Sequence, residues 1–164
     1  MSKINKILAC VDLSEYSLMT LKYSVEFAKG SKAQIIILNV INQRDINGVE
    51  MVSGYFPGYF SNEINAQDYI RELRKDRHER IKNLIDENFS DEKSKMTIKV
   101  DEGVPFECIL NAAKTEKVDL IVMANKGRGN LSRVLFGSVA EKVFRHSSVP
   151  VVSVRDEMKF IRSK

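Results

Sequence analysis

Long apolar runs are missing from this 164-residue chain: none approaches the about 20 residues that span a bilayer, and the opening Met-Ser-Lys-Ile-Asn-Lys has no apolar signal region. Cysteine is scarce. Cys10 falls in an apolar strand-like run and Cys108 on an apolar helix face, so both read as small buried hydrophobes rather than a disulfide or metal pair. A reduced, cytoplasmic setting is expected. His78 and His146 stand without metal-ligating company, which argues against a protein metal site. No Gly-x-x-x-x-Gly-Lys-Ser/Thr occurs, which disfavours a Walker-type hydrolase, and Gly-Arg-Gly-Asn-Leu-Ser at 127–132 lacks the third glycine of a dinucleotide-binding loop. There is no Gly-x-Ser-x-Gly elbow and no sequence basis for a catalytic triad. A phospho-accepting receiver would need an acidic cluster at the first strand, where only Asp12 is present.

What is there is a chain that is 43% hydrophobic and 29% charged, enough for one packed core in a single domain spanning 1–164. Basic residues number 26 against 22 acidic, for a net charge of +4. This balance favours anionic ligands in general, but the two signs are interspersed and no basic stripe with interleaved aromatics marks a nucleic-acid face.

Strand and helix patterns alternate along the sequence. Lys6 to Val11 is a strand, and Ser14 is placed to cap a helix whose Leu18, Leu21, Val25 and Ala28 recur at helical spacing until Gly30 stops it. Ile35 to Ile41 is continuously apolar except for Asn39, as expected of a strand covered on both faces. Asn65 to Phe89 is a long charged helix with Ile70, Leu73, Ile81, Leu84 and Ile85 on its inner side. Met96 to Val100 alternates like an edge strand, Pro105 opens a helix with Phe106, Ile109, Leu110 and Ala113 inward, and Asp119 to Met123 and Val149 to Val154 are short apolar strands. Such repeats imply an α/β fold: an open five-stranded parallel sheet with helices on both faces and right-handed crossovers. For the order 3-2-1-4-5, a ligand belongs at the carboxyl ends of the first and fourth strands, which close at Asp12 and at a glycine-rich loop.

That loop runs from Ala124 to Ser138. Gly127 and Gly129 allow positive φ and close backbone approach, Gly137 removes a side chain where a helix opens, and Ser138 adds a hydroxyl beside the unpaired N–H groups of the first turn. Backbone donors converging at a helix head make an anion cradle. Lys126, Arg128 and Arg133 lie close enough in sequence to surround a phosphate chain, with Arg128 the best placed; solvated loop charges are the other reading.

These residues resemble the signature of the universal stress protein family, Gly-x-x-Gly, nine residues, then Gly-Ser/Thr. Nine residues separate Gly127 from Gly137, Ser138 follows, and Ala124 stands where the pattern has its first glycine. The likeness extends to Ile7–Ser17 (ILACVDLSEYS), Gln34–Ile41 (QIIILNVI), Glu102–Ala113 with its Gly-x-Pro, Asp119–Met123 and Ser148–Val154. It implies an adenine nucleotide, most of all ATP, bound by a sensor or regulator with slow or no hydrolysis, with Mg or Mn carried on the phosphates. It implies that the Asp12 carboxylate accepts from the ribose hydroxyls and that the backbone at Val40 receives the adenine edge. A turn or cap role for Asp12 and a plain core role for Val40 stand beside those readings. The full candidate set is Val11, Asp12, Val40, Met123, Ala124, Gly127, Arg128, Gly137, Ser138 and Val139. The resemblance also implies a homodimer through Val149 to Val154, whose only edge protection is Pro150.

Two further readings remain. A homodimeric scaffold that does not use nucleotide would suit a degraded loop, whereas an ATP pyrophosphatase would need a Ser-Gly-Gly-x-Asp-Ser loop that is absent. Residues 42–64, rich in glycine and aromatics, read as a flexible insertion that is a flap over the adenine, a partner patch or ordinary packing, and 156–164 as a short tail.

Overall fold

The computed structural model describes residues 3–55, 66–125 and 137–155. Five parallel strands form one sheet: β1 Lys6–Cys10, β2 Gln34–Asn42, β3 Met96–Gly103, β4 Leu120–Ala124 and β5 Val151–Val154, in the order β3-β2-β1-β4-β5. Among the described residues five α-helices connect them, α1 Ser17–Ala28, α2 Gln43–Tyr55, α3 Ala66–Asn88, α4 Pro105–Thr115 and α5 Ser138–His146, with a single 3-10 turn at Lys93–Lys95.

The period-two alternation of the strands divides the core into two layers. Ile7, Ala9, Val11, Ile35 and Ile37 face α1 and α3, meeting Leu21, Val25, Ile81, Ile85 and Phe89. Leu8, Ile36, Leu38, Ile121 and Met123 face α4 and α5, meeting Ile109, Ala112, Ala113, Ala140 and Val143. Each fully buried aliphatic side chain contributes about 1.5–3 kcal/mol, so the two covered faces explain why the central strands read as unbroken apolar runs. α1 also buries Ser17, Thr20 and Ser24. The hydroxyls of Thr20 and Ser24 donate to the carbonyls of Tyr16 and Thr20 at 3.0 and 2.8 Å. Intrahelical bonds of this kind let small polar residues pack against a sheet without an unsatisfied donor.

Three local expectations are revised. Ser14 does not cap α1, which begins at Ser17 behind Tyr16; its hydroxyl instead accepts from the Tyr16 N–H at 3.3 Å within the preceding turn. Residues 43–55 of the expected flexible insertion are helical. The Asn42 carboxamide oxygen accepts from the Arg44 N–H at 3.1 Å, and Ile46 packs against Ile41 and Ile70, so an apolar anchor and a capping side chain outweigh the glycines there. Residues 56–64 and the tail at 156–164 lie outside the described residues. Cys10 and Cys108 are free thiols on partly exposed residues, and the Cys10 sulfur itself is turned into the protein.

Glycine is required at the turn from β3 into α4. Gly103 has φ +138°, a backbone angle that strains any side chain, and a Cβ there would lie 3.1 Å from the Cys108 sulfur, which would have to shift by a few tenths of an ångström. Among the described residues no helix is long and apolar enough to cross a membrane.

Candidate functional site

The β1–β2 register ends at Cys10 and Leu38, while β2 continues to Asn42 against β3. A crevice therefore opens beside the carboxyl end of β1. On its other flank β1 pairs with β4 up to Cys10 and Met123, and β5 lies beyond β4. This is the point at which strand order reverses, the place where doubly wound sheets bind ligands.

The first wall is the turn after β1. Val11 is buried, and its N–H donates to the Leu38 carbonyl at 2.9 Å. Asp12, half-buried, accepts through Oδ1 from the Ser14 N–H at 3.0 Å and from the Ser17 hydroxyl at 3.5 Å. Asp12 thus has the turn-forming role that stood as its alternative. Leu13, held between these bonds, has φ +62°, a left-handed conformation that a leucine adopts at a cost of about 1 kcal/mol. A turn over-determined in this way presents the Asp12 carboxylate in a fixed place.

The second wall is built on β4. Met123 is buried, and Ala124 is the last strand residue, paired with Val154. The Asn125 N–H donates to the Val154 carbonyl at 3.1 Å and the Asn125 carbonyl accepts from the Gly137 N–H at 2.8 Å. The far end of the glycine loop is thereby tied back to the point where β4 stops, with α5 starting at Ser138 immediately after Gly137. Gly137 has φ −67° and ψ 154°, ordinary extended backbone, so its value lies in the missing side chain and not in the angle. The first intrahelical bond runs from the Glu141 N–H to the Gly137 carbonyl at 3.0 Å. The N–H groups of Ser138, Val139 and Ala140 precede it and point out of the helix head. Lys126, Gly127, Arg128, Gly129, Ser132 and Arg133 lie outside the described residues.

The third wall is β2. Peptide groups of alternate residues on a central parallel strand face the same neighbour, and the Leu38 carbonyl faces β1. Val40, two residues on, turns its N–H and C=O the same way, past the end of β1 and into the crevice. Its carbonyl is engaged: Arg77, on α3, donates from Nη1 to it at 3.1 Å and to Asn39 Oδ1 at 3.0 Å. The Asn39 amide in turn donates to the Val11 carbonyl at 2.8 Å. Arg77 and Asn39 are 5% and 1% exposed, so a polar strap lies buried under the crevice floor. Asn39 had a visible signal as the one polar residue in an apolar run. Arg77 had a fainter one: it sits four residues after Leu73 and four before Ile81, on the inner stripe of α3.

Other titratable groups stand apart. Burial pushes the Cys10 thiol up to about 12, and burial together with Asp101 and Glu107 raises that of Cys108. His78 and His146 are exposed, and among the described residues no cluster of three His, Cys, Asp or Glu side chains forms.

The model of the universal stress protein family matches residues 3–155. The chain belongs to that family. It is similar to the universal stress protein MJ0577 of Methanocaldococcus jannaschii, 32% identical over 154 residues covering 92% of this chain and 94% of the relative. It is also similar to the universal stress protein YxiE of Bacillus subtilis, 31% identical over 152 residues with 92% and 99% covered. The solved structure of MJ0577 superposes with a TM-score of 0.75 at 28% identity, over 95% of this chain and 99% of that one. A universal stress protein solved in complex with cAMP shares the fold, with a TM-score of 0.53 at 22% identity over 94% and 98% of the two chains. The five-stranded order 3-2-1-4-5 with helices on both faces is therefore the fold of the family as well as of this chain.

Proposed function

We propose that this universal stress protein binds an adenine nucleotide, ATP before ADP or AMP, in the crevice between β1, β2 and β4, and acts as a cytoplasmic sensor or regulator with slow or no hydrolysis. One observation supports the reading above the others: the Gly137 N–H bond to the Asn125 carbonyl sets the head of α5 at the carboxyl end of β4, beside the end of β1. Three outward N–H groups, a small residue at the cap and a hydroxyl at Ser138 suit phosphate oxygens. Asp12 suits the ribose hydroxyls, Val11, Met123 and Ala124 form apolar floor, Val139 backs the helix head, and the Val40 peptide group suits a base edge. Gly127 and Arg128 belong to the same reading as phosphate contacts. The described residues supply no cluster of metal ligands, so a divalent cation would arrive on the phosphates. The fold accommodates a nucleotide in at least one relative, the protein solved with cAMP.

Slow or no turnover belongs to the same reading. Hydrolysis needs a placed base or a residue orienting water, and Asp12 is assigned to the turn and the ribose rather than to either role. Calorimetry of ATP, ADP and AMP against the full chain and Gly137→Val is the test. Valine accepts the φ and ψ of residue 137, so the variant should fold while its side chain blocks the phosphate approach. Binding by the parent and none by the variant is expected. Absence of binding of all three nucleotides to the parent at millimolar concentration would overturn the reading in favour of a nucleotide-independent scaffold.

The proposal includes a homodimer through β5. Among the described residues that strand pairs only with β4. Ser153 Oγ is buried without a partner among the described residues, and Val151 and Val152 are half-covered, as at an edge awaiting a second strand.

A further inference from the structure

We infer that Arg77 is a specificity-determining residue of the crevice: it weakens selection for a 6-amino purine over a 6-oxo purine by holding a cation against the carbonyl that would read the base. This rests on the nucleotide reading given above. The observation behind it is the 3.1 Å bond from Arg77 Nη1 to the Val40 carbonyl, the peptide group that β2 turns into the crevice past the end of β1.

A strand peptide group reads adenine by a simple complementarity. The exocyclic amino group donates to the C=O and the ring nitrogen accepts from the N–H. A base with an oxo group in place of the amino group presents an acceptor where the carbonyl also presents one, and an unmodified strand therefore rejects it. In this chain one lone pair of the Val40 carbonyl is taken by a guanidinium, and a positive charge sits within hydrogen-bond distance of the same oxygen. An incoming amino group must share the carbonyl and carry its own partial positive charge toward Arg77. An incoming oxo group brings partial negative charge to the same place. The cation thus shifts the balance from adenine toward hypoxanthine or guanine, and its buried setting strengthens the effect because few waters screen it.

The position of Arg77 is not adjustable at low cost. Its Nη1 is shared between Val40 and Asn39, and Asn39 is itself held by the Val11 carbonyl, so the guanidinium is tied to β1 and β2 together. A group oriented from two strands discriminates better than one on a mobile side chain, since moving it breaks bonds that water does not replace.

The test is the ratio of dissociation constants for ITP and ATP, measured by calorimetry on the full chain and on Arg77→Met and Arg77→Lys. Removal of the charge in Arg77→Met should raise the ITP-to-ATP ratio by at least about fivefold, the scale of one lost charge-assisted contact, whereas Arg77→Lys should stay within about twofold of the parent. Should Arg77→Met fail to fold by circular dichroism, Arg77→Gln, which keeps a donor without the charge, is expected to give the same rise. A ratio unchanged in the neutral variant, with both nucleotides bound, overturns the inference and leaves the nucleotide reading standing. A ratio that moves as far in Arg77→Lys as in the neutral variant also overturns it, because the charge is then not the cause. No binding of either nucleotide to the parent overturns the inference and the nucleotide reading together. A purely structural role for Arg77 would lower both affinities or the stability without moving the ratio.

Discussion

Asn39 and Arg77 join the sheet to α3 side chain to side chain. Nη1 of Arg77 donates to Oδ1 of Asn39 at 3.0 Å, and the Asn39 amide passes the connection on to the Val11 carbonyl at 2.8 Å. Replacing Asn39 with leucine keeps the branched shape but leaves a buried carbonyl without its donor and a guanidinium without one acceptor. Each buried group left unsatisfied costs about 1–3 kcal/mol, more when charged, so Asn39→Leu should lower unfolding stability by roughly 2–4 kcal/mol. Urea denaturation of parent and variant measures it. Unchanged stability would mean that the strap contributes nothing net, as some buried polar groups do.

The pair also shows which parts of the molecule were legible in sequence. The five strands and most of the helices followed from apolar runs and helical spacing, because both core layers are filled by residues whose period is set by the backbone itself, whereas the strand order came with the family resemblance. Asn39 broke its run and so announced itself. Arg77 did so only faintly, through its place on the inner stripe, since α3 carries many charges and one inward arginine looks like its outward neighbours Lys75 and Arg80. The helix at Gln43–Tyr55 was hidden for a different reason: its stability comes from Ile46 meeting Ile41 and Ile70, a tertiary contact with no local signature. The turn at Asp12 was half legible. Its residue types signal a turn, while the left-handed Leu13 comes with the bonds that Asp12 accepts across it from Ser14 and Ser17.

The edge strand supports a direct assembly test. The Ile121 N–H donates to the Pro150 carbonyl and the Asn125 N–H to the Val154 carbonyl, so residues of even number on β5 face β4 and Ser153 turns its peptide group outward. Ser153→Pro removes one outward N–H and no bond to β4, which is the setting in which edge strands tolerate proline. Its hydroxyl has no partner to lose among the described residues. Sedimentation equilibrium should give a dimer for the parent at tens of micromolar and a folded monomer for Ser153→Pro. A monomeric parent would sink the β5 dimer.

The two thiols should differ in reactivity. The thiolate is the reactive form, so raising a thiol's pKa lowers the fraction able to react near neutral pH. Cys10 is pushed up to about 12 by burial, and Cys108 is raised by burial and by Asp101 and Glu107. At about pH 8 iodoacetamide should modify Cys108 slowly and Cys10 only after unfolding, with the Cys108 rate rising as the solution is made more alkaline. Peptide mapping by mass spectrometry reads both sites. Rapid modification of native Cys10 would show that the carboxyl end of β1 is open enough to hydrate the thiolate.

Ala124 is the clear departure from the family pattern, and its place in β4 narrows what that departure does. An extra methyl acts either through a backbone angle that only glycine accepts or through lost space. The angle is eliminated: Ala124 is a strand residue in register with Val154, and the non-glycine residues with positive φ among those described are Leu13 and Lys117. Space remains. The methyl sits at the rim where β4 gives way to the loop, beside the ground proposed for ribose and phosphate. Ala124→Gly should tighten ATP by up to about fivefold in dissociation constant, the scale of one relieved methyl contact. The same change should cost roughly 0.5–1 kcal/mol of stability without ligand, because glycine in a strand loses more conformational freedom on folding. Calorimetry and thermal unfolding measure the two effects separately. Tighter binding with lower stability places the methyl against the ligand, whereas lower stability with unchanged affinity places the nucleotide farther from β4 and leaves recognition to Asp12, Val40 and the head of α5.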